Sequence, residues 1–148
     1  MQNLYNTIGV SPVRNLLILI VLIISIAKGN ILHVSTTGND ESGDGSVSNP
    51  YLTIQKGIDE ASSMDTVLVL NGIWQGGVTI DNKQITLMGE SMDDTKLNIA
   101  ITEPNISVLN NSDTIRIENL KIKRGNAELG GSALNISNSL VVAKNLDL

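Results

Sequence analysis

The sequence predicts an all-β fold in which short parallel strands stack to form a solenoid. Residues 113–122 recur as residues 139–148, and a fixed period, here of twenty-six residues, is typical of chains in which each turn buries its apolar side against the next. Each copy is predicted to form two short strands with an Asn between them, and a single helical pattern precedes the strands, where a solenoid needs a cap. We therefore favour stacked parallel strands over an antiparallel sandwich, which short strands without intervening helices also allow.

The two copies of the repeat agree in the kind of residue at each position. The aligned apolar pairs are Ile115 with Val141, Ile117 with Ala143, Leu120 with Leu146 and Ile122 with Leu148. The aligned charged pairs are Glu118 with Lys144 and Lys121 with Asp147. Opposite charges on neighbouring strands about 4.8 Å apart are mildly favourable, whereas like charges are unfavourable. The charges therefore support the parallel register, although exposed ion pairs add little stability.

The composition limits the classes of protein to which the chain can belong. Its 148 residues allow one modest domain, and ten Lys and Arg against fifteen Asp and Glu give a net charge of −5. The acidic residues are scattered and there is no basic stripe, which argues against nucleic acid as a partner. The absence of Cys excludes disulfides and thiolate metal sites, and an aromatic content of 2% favours a core of stacked aliphatic side chains.

Residues 1–27 have the pattern of a secretory signal peptide. A polar segment ending in Arg14 precedes an apolar run, Leu16–Ile26, and the segment closes with Ser25-Ile26-Ala27, a small-x-small cleavage pattern. An apolar run of this length spans roughly 16 Å as a helix, about half of a bilayer core. The sequence therefore predicts secretion or display at the cell surface. An uncleaved N-terminal membrane anchor is the alternative.

The rest of the chain divides into a cap, residues 28–64, and a stack of strands, residues 65–148. The cap contains a predicted strand, Ile31–Ser35, a loop rich in Gly, Asp, Asn and Ser, and a predicted helix, Tyr51–Ser62, with Thr53 as its N-cap. The later strands are separated by breaks that contain Gly, Asn, Asp or Pro, and one of these is a predicted turn at Asn71-Gly72. The predicted strands before the repeat are Val67–Leu70, Val78–Ile80, Ile85–Met88, Leu97–Ile101 and Ile106–Leu109.

A series of short motifs resembles, in its order, that of a known family. The motifs are Val34–Asp40, Asp44–Ser46, Asn49–Tyr51, Thr53–Gln55, Asp65–Val69 and Ile85–Gly89. With them, residues 31–148 resemble the N-terminal cap and first coils of secreted right-handed parallel β-helix proteins of the pectin lyase-like superfamily. The resemblance implies a right-handed parallel β-helix of three to four coils with one N-terminal capping helix. Because members of the superfamily typically have more coils, we also expect residues 65–148 to be an incomplete, truncated stack.

The resemblance does not fix an activity, because the superfamily contains polysaccharide lyases, hydrolases and esterases as well as non-catalytic surface proteins. Enzymes resembling this family place Asp or Glu clusters, often with Ca²⁺, and a Lys or Arg base on the outer face of central coils. Ca²⁺ needs about six to eight oxygen ligands, so several carboxylates must converge. Here the aligned outward positions carry opposite charges, and Asp113 aligns with Ser139. No catalytic, cofactor-binding or metal-binding residue is therefore assigned, and Ca²⁺ is expected only in a longer enzyme form.

Acidic side chains lie close together in two predicted loops. Asp40, Glu41 and Asp44 are a weak candidate for Ca²⁺, but their spacing lacks the distal Glu of an EF-hand loop. Turn residues that bond to their own backbone are the favoured interpretation. Asp93-Asp94 is interpreted in the same way, as a solvated turn.

A few other side chains have both a functional and a structural interpretation. His33 has no Ser, Cys or second His in a catalytic arrangement, so a structural role is favoured. Trp74 either stacks on a sugar ring or covers the edge of the core. Asn119 and Asn145 are either polar ligands or an internal ladder of side-chain amides, and we favour the ladder.

Three tripeptides fit the N-glycosylation pattern, which matters only in a host with that pathway: Asn105-Ile106-Ser107, Asn110-Asn111-Ser112 and Asn135-Ile136-Ser137.

The favoured functional hypothesis is a secreted or cell-surface β-helix segment, non-catalytic as it stands, which acts as a scaffold or as an adhesive surface towards polysaccharide. A second hypothesis is the N-terminal part of a polysaccharide lyase or hydrolase that acts on uronan or pectin-like substrates, with its catalytic coils beyond residue 148. A third is a structural module that self-associates through its open C-terminal coil, since an unprotected strand edge is a template for pairing.

Overall fold

The computed structural model describes residues 29–75, 77–98, 104–122 and 132–148. The predicted signal peptide, residues 1–27, lies outside these ranges, as do the last residues of the strand predicted at Leu97–Ile101. Within the described ranges, no helix is both long and apolar enough to cross a membrane.

The described residues form one helix and ten strands. The helix is α1 (Ile54–Glu60). The strands are β1 (Ile31–Val34), β2 (Thr66–Val69), β3 (Gly72–Gln75), β4 (Val78–Asp81), β5 (Thr86–Gly89), β6 (Thr95–Asn98), β7 (Ile106–Leu109), β8 (Thr114–Ile122), β9 (Leu134–Ser137) and β10 (Leu140–Asp147).

The strands pair in a parallel pattern that repeats along the chain. The consecutive strands β2, β3 and β4 pair with β5, β6 and β7 in the same order. Next, β8 pairs with both β5 and β6, and β9 pairs with β7. The outer strands β1 and β10 pair with β2 and β8. All of these pairs are parallel, which confirms the prediction of an all-β fold of parallel strands.

The twenty-six-residue repeat corresponds to the pairing of β8 with β10. Ile115 lies opposite Val141 and Leu120 opposite Leu146, in a register that runs from Thr114 and Leu140 to Lys121 and Asp147. The aligned pair Ile122 and Leu148 is not part of it, because β10 ends at Asp147. Each copy is one strand that changes direction at its Asn instead of two separate strands. As a result, β8 pairs with β5 before Asn119 and with β6 after it.

Alternate side chains of the strands fill one apolar interior. Val67, Leu87 and Ile117 occupy paired positions on β2, β5 and β8, and all three are fully buried. Full burial of an aliphatic side chain of this size stabilises a fold by about 1.5–3 kcal/mol. The other large apolar side chains that are fully buried are Val34, Val69, Ile80, Leu97, Ile106, Val108, Ile115, Leu120 and Ile122.

Helix α1 covers one side of this interior. As predicted, Thr53 is its N-cap, and the Thr53 hydroxyl accepts a hydrogen bond from the Lys56 N–H at 3.2 Å. Ile54 and Ile58 are buried, and α1 contacts β1, β2 and β4. The helix is shorter than the predicted range of residues 51–62, because Ala61 adopts an extended conformation (ψ 137°) and ends it.

Gln55 of α1 satisfies the edge of β4 that is not paired with β7. Its Oε1 accepts a hydrogen bond from the Thr79 N–H at 2.8 Å, and its Nε2 donates to the Thr79 carbonyl at 3.1 Å. The amide thus replaces a neighbouring strand at one residue. Unpaired strand edges attract other chains, so this contact also protects the sheet.

Two strands were not predicted from the sequence. The predicted turn at Asn71-Gly72 is wrong in part, because Gly72 already belongs to β3. This strand has one fully inward apolar side chain, Trp74, between the exposed residues Ile73 and Gln75. One such residue is too few to show a period of two. Strand β9 has exposed or half-buried side chains throughout and shows an equally weak pattern.

Candidate functional site

A row of three Asn residues marks one corner of the fold. Asn82, Asn110 and Asn138 follow directly after β4, β7 and β9, and they are 28 residues apart. Their φ angles of 48°, 51° and 48° lie in the left-handed region, which Asn tolerates better than most residues. Asn138 Nδ2 donates to Asn110 Oδ1 at 3.4 Å, and Asn110 Nδ2 donates to Asp81 Oδ1 at 3.1 Å.

A second corner carries the Asn pair that the repeat predicted. Asn119 and Asn145 have φ angles of 55° and 50°, and Asn145 Nδ2 donates to Asn119 Oδ1 at 3.0 Å. The contact is the ladder of side-chain amides expected for these residues, but it is not internal, because Asn119 is half-buried and Asn145 is exposed. Their amides serve the corner, so a ligand role is not their main function in this structure.

Asn111 is a buried polar residue whose side-chain oxygen and nitrogen both make hydrogen bonds. It is 5% exposed, and its Nδ2 donates to the carbonyls of Leu109 at 2.7 Å and Ile80 at 3.2 Å. Its Oδ1 accepts a hydrogen bond from the Lys83 N–H. The Lys83 ammonium in turn donates to the carbonyls of Ile58 and Asp59, both at 2.7 Å, at the end of α1. This network fixes the helix to the strands.

The acidic loop residues are used to hold the loop. Asp40 accepts hydrogen bonds from the N–H groups of Leu52 (2.7 Å) and Thr53 (3.0 Å) and from the Thr53 hydroxyl (2.7 Å). Asp44 Oδ1 accepts from the Ser46 N–H at 2.9 Å, and Glu41 is exposed. The described residues contain no group of three or more His, Cys, Asp or Glu arranged to hold a metal ion.

These contacts lower the pKa of both carboxyl groups. Partial burial acts to raise the pKa of Asp40, but the hydrogen bonds from Thr53 and Leu52 and the charge of Lys56 outweigh it, so the pKa lies below its usual value. Hydrogen bonds from Ser46 lower the pKa of Asp44 as well. Asp44 anchors its own turn, as the sequence indicated. Asp40 instead joins its loop to Leu52 and Thr53 at the start of α1, a contact that the sequence did not predict.

The other candidates have structural positions. His33 lies half-buried on β1, with Nδ1 3.3 Å from the Gly45 carbonyl. Asp93 and Asp94 are exposed in a turn, where the Asp94 carbonyl accepts from the Gly72 N–H at 2.8 Å. Trp74 is 5% exposed and donates from Nε1 to the Leu70 carbonyl at 3.0 Å. Its ring therefore belongs to the core and is not presented to a sugar.

The outer surface of the paired strands carries rows of polar and charged side chains. On the neighbouring strands β6, β8 and β10, Lys121 of β8 lies between Lys96 and Asp147. The Lys121 ammonium donates a hydrogen bond to the Asp147 carboxylate. This hydrogen bond and the charge of Asp147 raise the pKa of Lys121. Glu118 lies opposite Lys144 in the same register. Charges of opposite sign thus meet on β8 and β10, as the aligned repeat predicted.

A third row lies on the sheet formed by β4, β7 and β9. Thr79, Ser107 and Asn135 occupy paired positions there, and their neighbours along each strand point into the core or towards it. The sequence reasoning missed this row and the Asn corner beside it. The signal that would have found them is the recurrence of Asn at residues 82, 110 and 138, a period that differs from that of the detected repeat.

A scan against family models, a search of curated proteins and a search of solved structures gave no match.

Proposed function

We propose that the chain is a segment of a secreted or cell-surface right-handed parallel β-helix of the pectin lyase-like kind, and that it acts as a rigid scaffold without catalytic activity of its own. The observation that carries this proposal is the charge pattern on β8 and β10, where Glu118 lies opposite Lys144 and Lys121 opposite Asp147. A hydrolytic or metal-dependent site needs carboxylates that converge and groups whose pKa is tuned for proton transfer. Lys121 and Asp147 form an ion pair, and Glu118 has Lys144 as its strand partner, so the charges on β8 and β10 favour a structural surface.

The order of the strand pairs supports the coiled architecture. The chain passes through β2, β3 and β4 before β5 returns to pair beside β2. A connection between two parallel strands of one sheet is right-handed in about 98% of cases. The resemblance of the N-terminal motifs points to the same handedness, and the predicted signal peptide at residues 1–27 supports secretion.

The proposed partner of the scaffold is a polysaccharide, which it contacts through hydrogen bonds. Thr79 and Ser107 supply hydroxyl groups in one row, and neighbouring strands are about 4.8 Å apart. Trp74 and Tyr51 are the aromatic residues of the described ranges, and both are buried, so aromatic stacking does not contribute. We expect such contact to be weak for one chain and to gain strength from many copies on a surface.

The proposal is tested with the purified secreted chain and a panel of polysaccharides that includes uronans, with and without Ca²⁺. Affinity electrophoresis measures binding, and ultraviolet absorbance detects the unsaturated products of a lyase. We expect weak binding that the double variant Thr79→Ala/Ser107→Ala reduces and the control Asp93→Asn leaves unchanged. Turnover of a uronan by this chain would overturn the non-catalytic proposal and favour the hypothesis of a uronan-degrading enzyme. A change of Trp74 fluorescence on adding oligosaccharide would overturn the exclusion of stacking.

Self-association is a second candidate, favoured by the apolar surface around β10. Ile136, Leu140, Val142 and Leu148 are 46%, 64%, 40% and 66% exposed, and within the described residues β10 pairs along one edge, with β8. An edge of this kind pairs readily with another strand. Sedimentation of the secreted chain over a range of concentrations is expected to show a dimer that Val142→Lys weakens. A monomer at all concentrations would reject this candidate.

A further inference from the structure

The three Asn-x-Ser tripeptides differ in what their Asn side chains do in the folded chain. Asn105, just before β7, is fully buried. A glycan on its amide would have to pass through the interior, so this site is incompatible with the observed packing. Burial therefore removes Asn105 as a glycan carrier in the folded protein.

Asn110 is exposed, but its amide is committed to the corner row. Its Nδ2 donates to Asp81 at 3.1 Å, and its Oδ1 accepts from Asn138 at 3.4 Å. A glycan on Nδ2 would take the place of the first contact and crowd the second. The fold therefore disfavours Asn110 as well.

Asn135 differs from both. It is exposed on β9, and its side chain makes no hydrogen bond to the residues that the structure describes. Ser137 is also exposed and, two residues further along the strand, lies on the same outward face. The inward neighbour Ile136 lies opposite the buried Val108. The acceptor amide and its Ser thus project together into solvent.

We propose that Asn135 is an N-glycosylation site whose glycan stands on the outer face of the β4–β7–β9 sheet. Its Nδ2 attacks the anomeric carbon of an oligosaccharide that is linked to a lipid pyrophosphate. A C–N bond forms, the bond from this carbon to the pyrophosphate oxygen breaks, the amide loses one proton, and the lipid pyrophosphate leaves with the bonding electrons. The inference rests on the proposed secretion, because this chemistry takes place on chains that enter a secretory pathway.

The test uses the full chain produced in a eukaryotic secretory host in two forms, one with its own residues 1–27 and one with a proven signal peptide in their place. Intact mass is measured before and after treatment with peptide N-glycosidase, which converts a glycosylated Asn to Asp and so marks the site in a peptide map. We expect one glycan at Asn135 in the secreted product. A secreted product without a glycan at Asn135, or with a glycan at Asn105, would overturn the proposal.

Paired variants separate acceptor chemistry from folding. Asn135→Gln and Ser137→Ala are expected to remove the glycan completely, whereas Ser137→Thr and Asn105→Gln are expected to keep it. Loss of the glycan in Ser137→Thr, or its persistence in Asn135→Gln, would contradict the assignment. If only the form with the proven signal peptide is secreted and carries the glycan, the secretion proposal fails and the assignment of Asn135 stands.

Discussion

Asn145 donates a hydrogen bond from its side-chain Nδ2 to the Oδ1 of Asn119 at 3.0 Å, and both residues hold a left-handed backbone. The two residues are the points at which β8 and β10 turn from one part of the sheet to the other. One residue type therefore does two things at this corner: it adopts the unusual φ angle, and its amide joins one strand to the next.

Replacing Asn119 is expected to separate these two roles. Asn119→Ala loses the hydrogen bond and puts Ala, which lacks a polar side chain, in the left-handed region. We therefore expect the free energy of unfolding to fall by about 2 kcal/mol. Asn119→Gly keeps the backbone conformation accessible and loses the amide, so we expect about 1 kcal/mol. Urea unfolding measures both. Equal losses in the two variants would show that the backbone conformation carries no cost.

Gly89 lies where two strands approach too closely for a side chain. A Cβ at this buried residue would lie 2.0 Å from the carbonyl oxygen of Asn119. Gly89→Ala must therefore move backbone, and we expect a loss of about 1–3 kcal/mol or failure to fold. Gly57→Ala is the matched control, because its Cβ would meet side-chain methyls of Val34 and Val67 at 2.7 and 3.0 Å, and the gain in helix propensity offsets part of that strain. A Gly57→Ala variant less stable than Gly89→Ala would contradict the expected order.

Asp40 is expected to make the stability of the cap sensitive to acid. The pKa of Asp40 is lower in the folded chain than in the unfolded chain. Its contribution to the free energy of unfolding is therefore complete above the pKa of the unfolded chain, about 4, and is lost as the pH falls through the pKa of the folded chain. Asp40→Asn should lower stability at neutral pH and flatten the loss of stability below about pH 4. The free energy of unfolding, measured from neutral to acidic pH, tests this. Glu41→Gln removes the same charge from the same loop and serves as control; an equal effect there would point to net charge and not to the hydrogen bonds of Asp40.

The register of β8 and β10 can be tested by cross-linking, because the chain has no Cys of its own. Paired residues on neighbouring parallel strands have a Cα separation of about 5 Å, which suits a disulfide. We expect Lys121→Cys/Asp147→Cys to form a disulfide within one chain under mild oxidation, detected by a shift on non-reducing gels. The mismatched pair Glu118→Cys/Asp147→Cys is the control. Cross-linking of the mismatched pair at the same rate would contradict the register.

The sequence predicted best those parts of the fold whose pattern repeats at a visible period. The offset between Leu120 and Leu146, and that between Lys121 and Asp147, correspond to real strand neighbours. Thr53 was recognisable because an N-cap depends on a local hydrogen bond. These features depend on residues close in sequence or on an alternation long enough to detect.

The rest depended on contacts that leave no local trace. The inward position of Trp74 is decided by the packing of its neighbours on other strands, so the sequence left its role open. The contact of Gln55 with Thr79 spans 24 residues and involves an amide that looks like any polar helix residue. The corner Asn residues, such as Asn82 and Asn110, escaped notice because their spacing differs from that of the aligned repeat.

The corner formed by Asn82, Asn110 and Asn138 has an evolutionary consequence. Each interval between these residues begins and ends at the same backbone conformation and contains one complete passage through the paired strands. A gene segment that encodes such an interval can be duplicated or deleted in frame. The strands on either side then pair with new neighbouring strands in the same register. In the parallel β-helix proposed for this chain, the number of such units is then a property that selection can adjust.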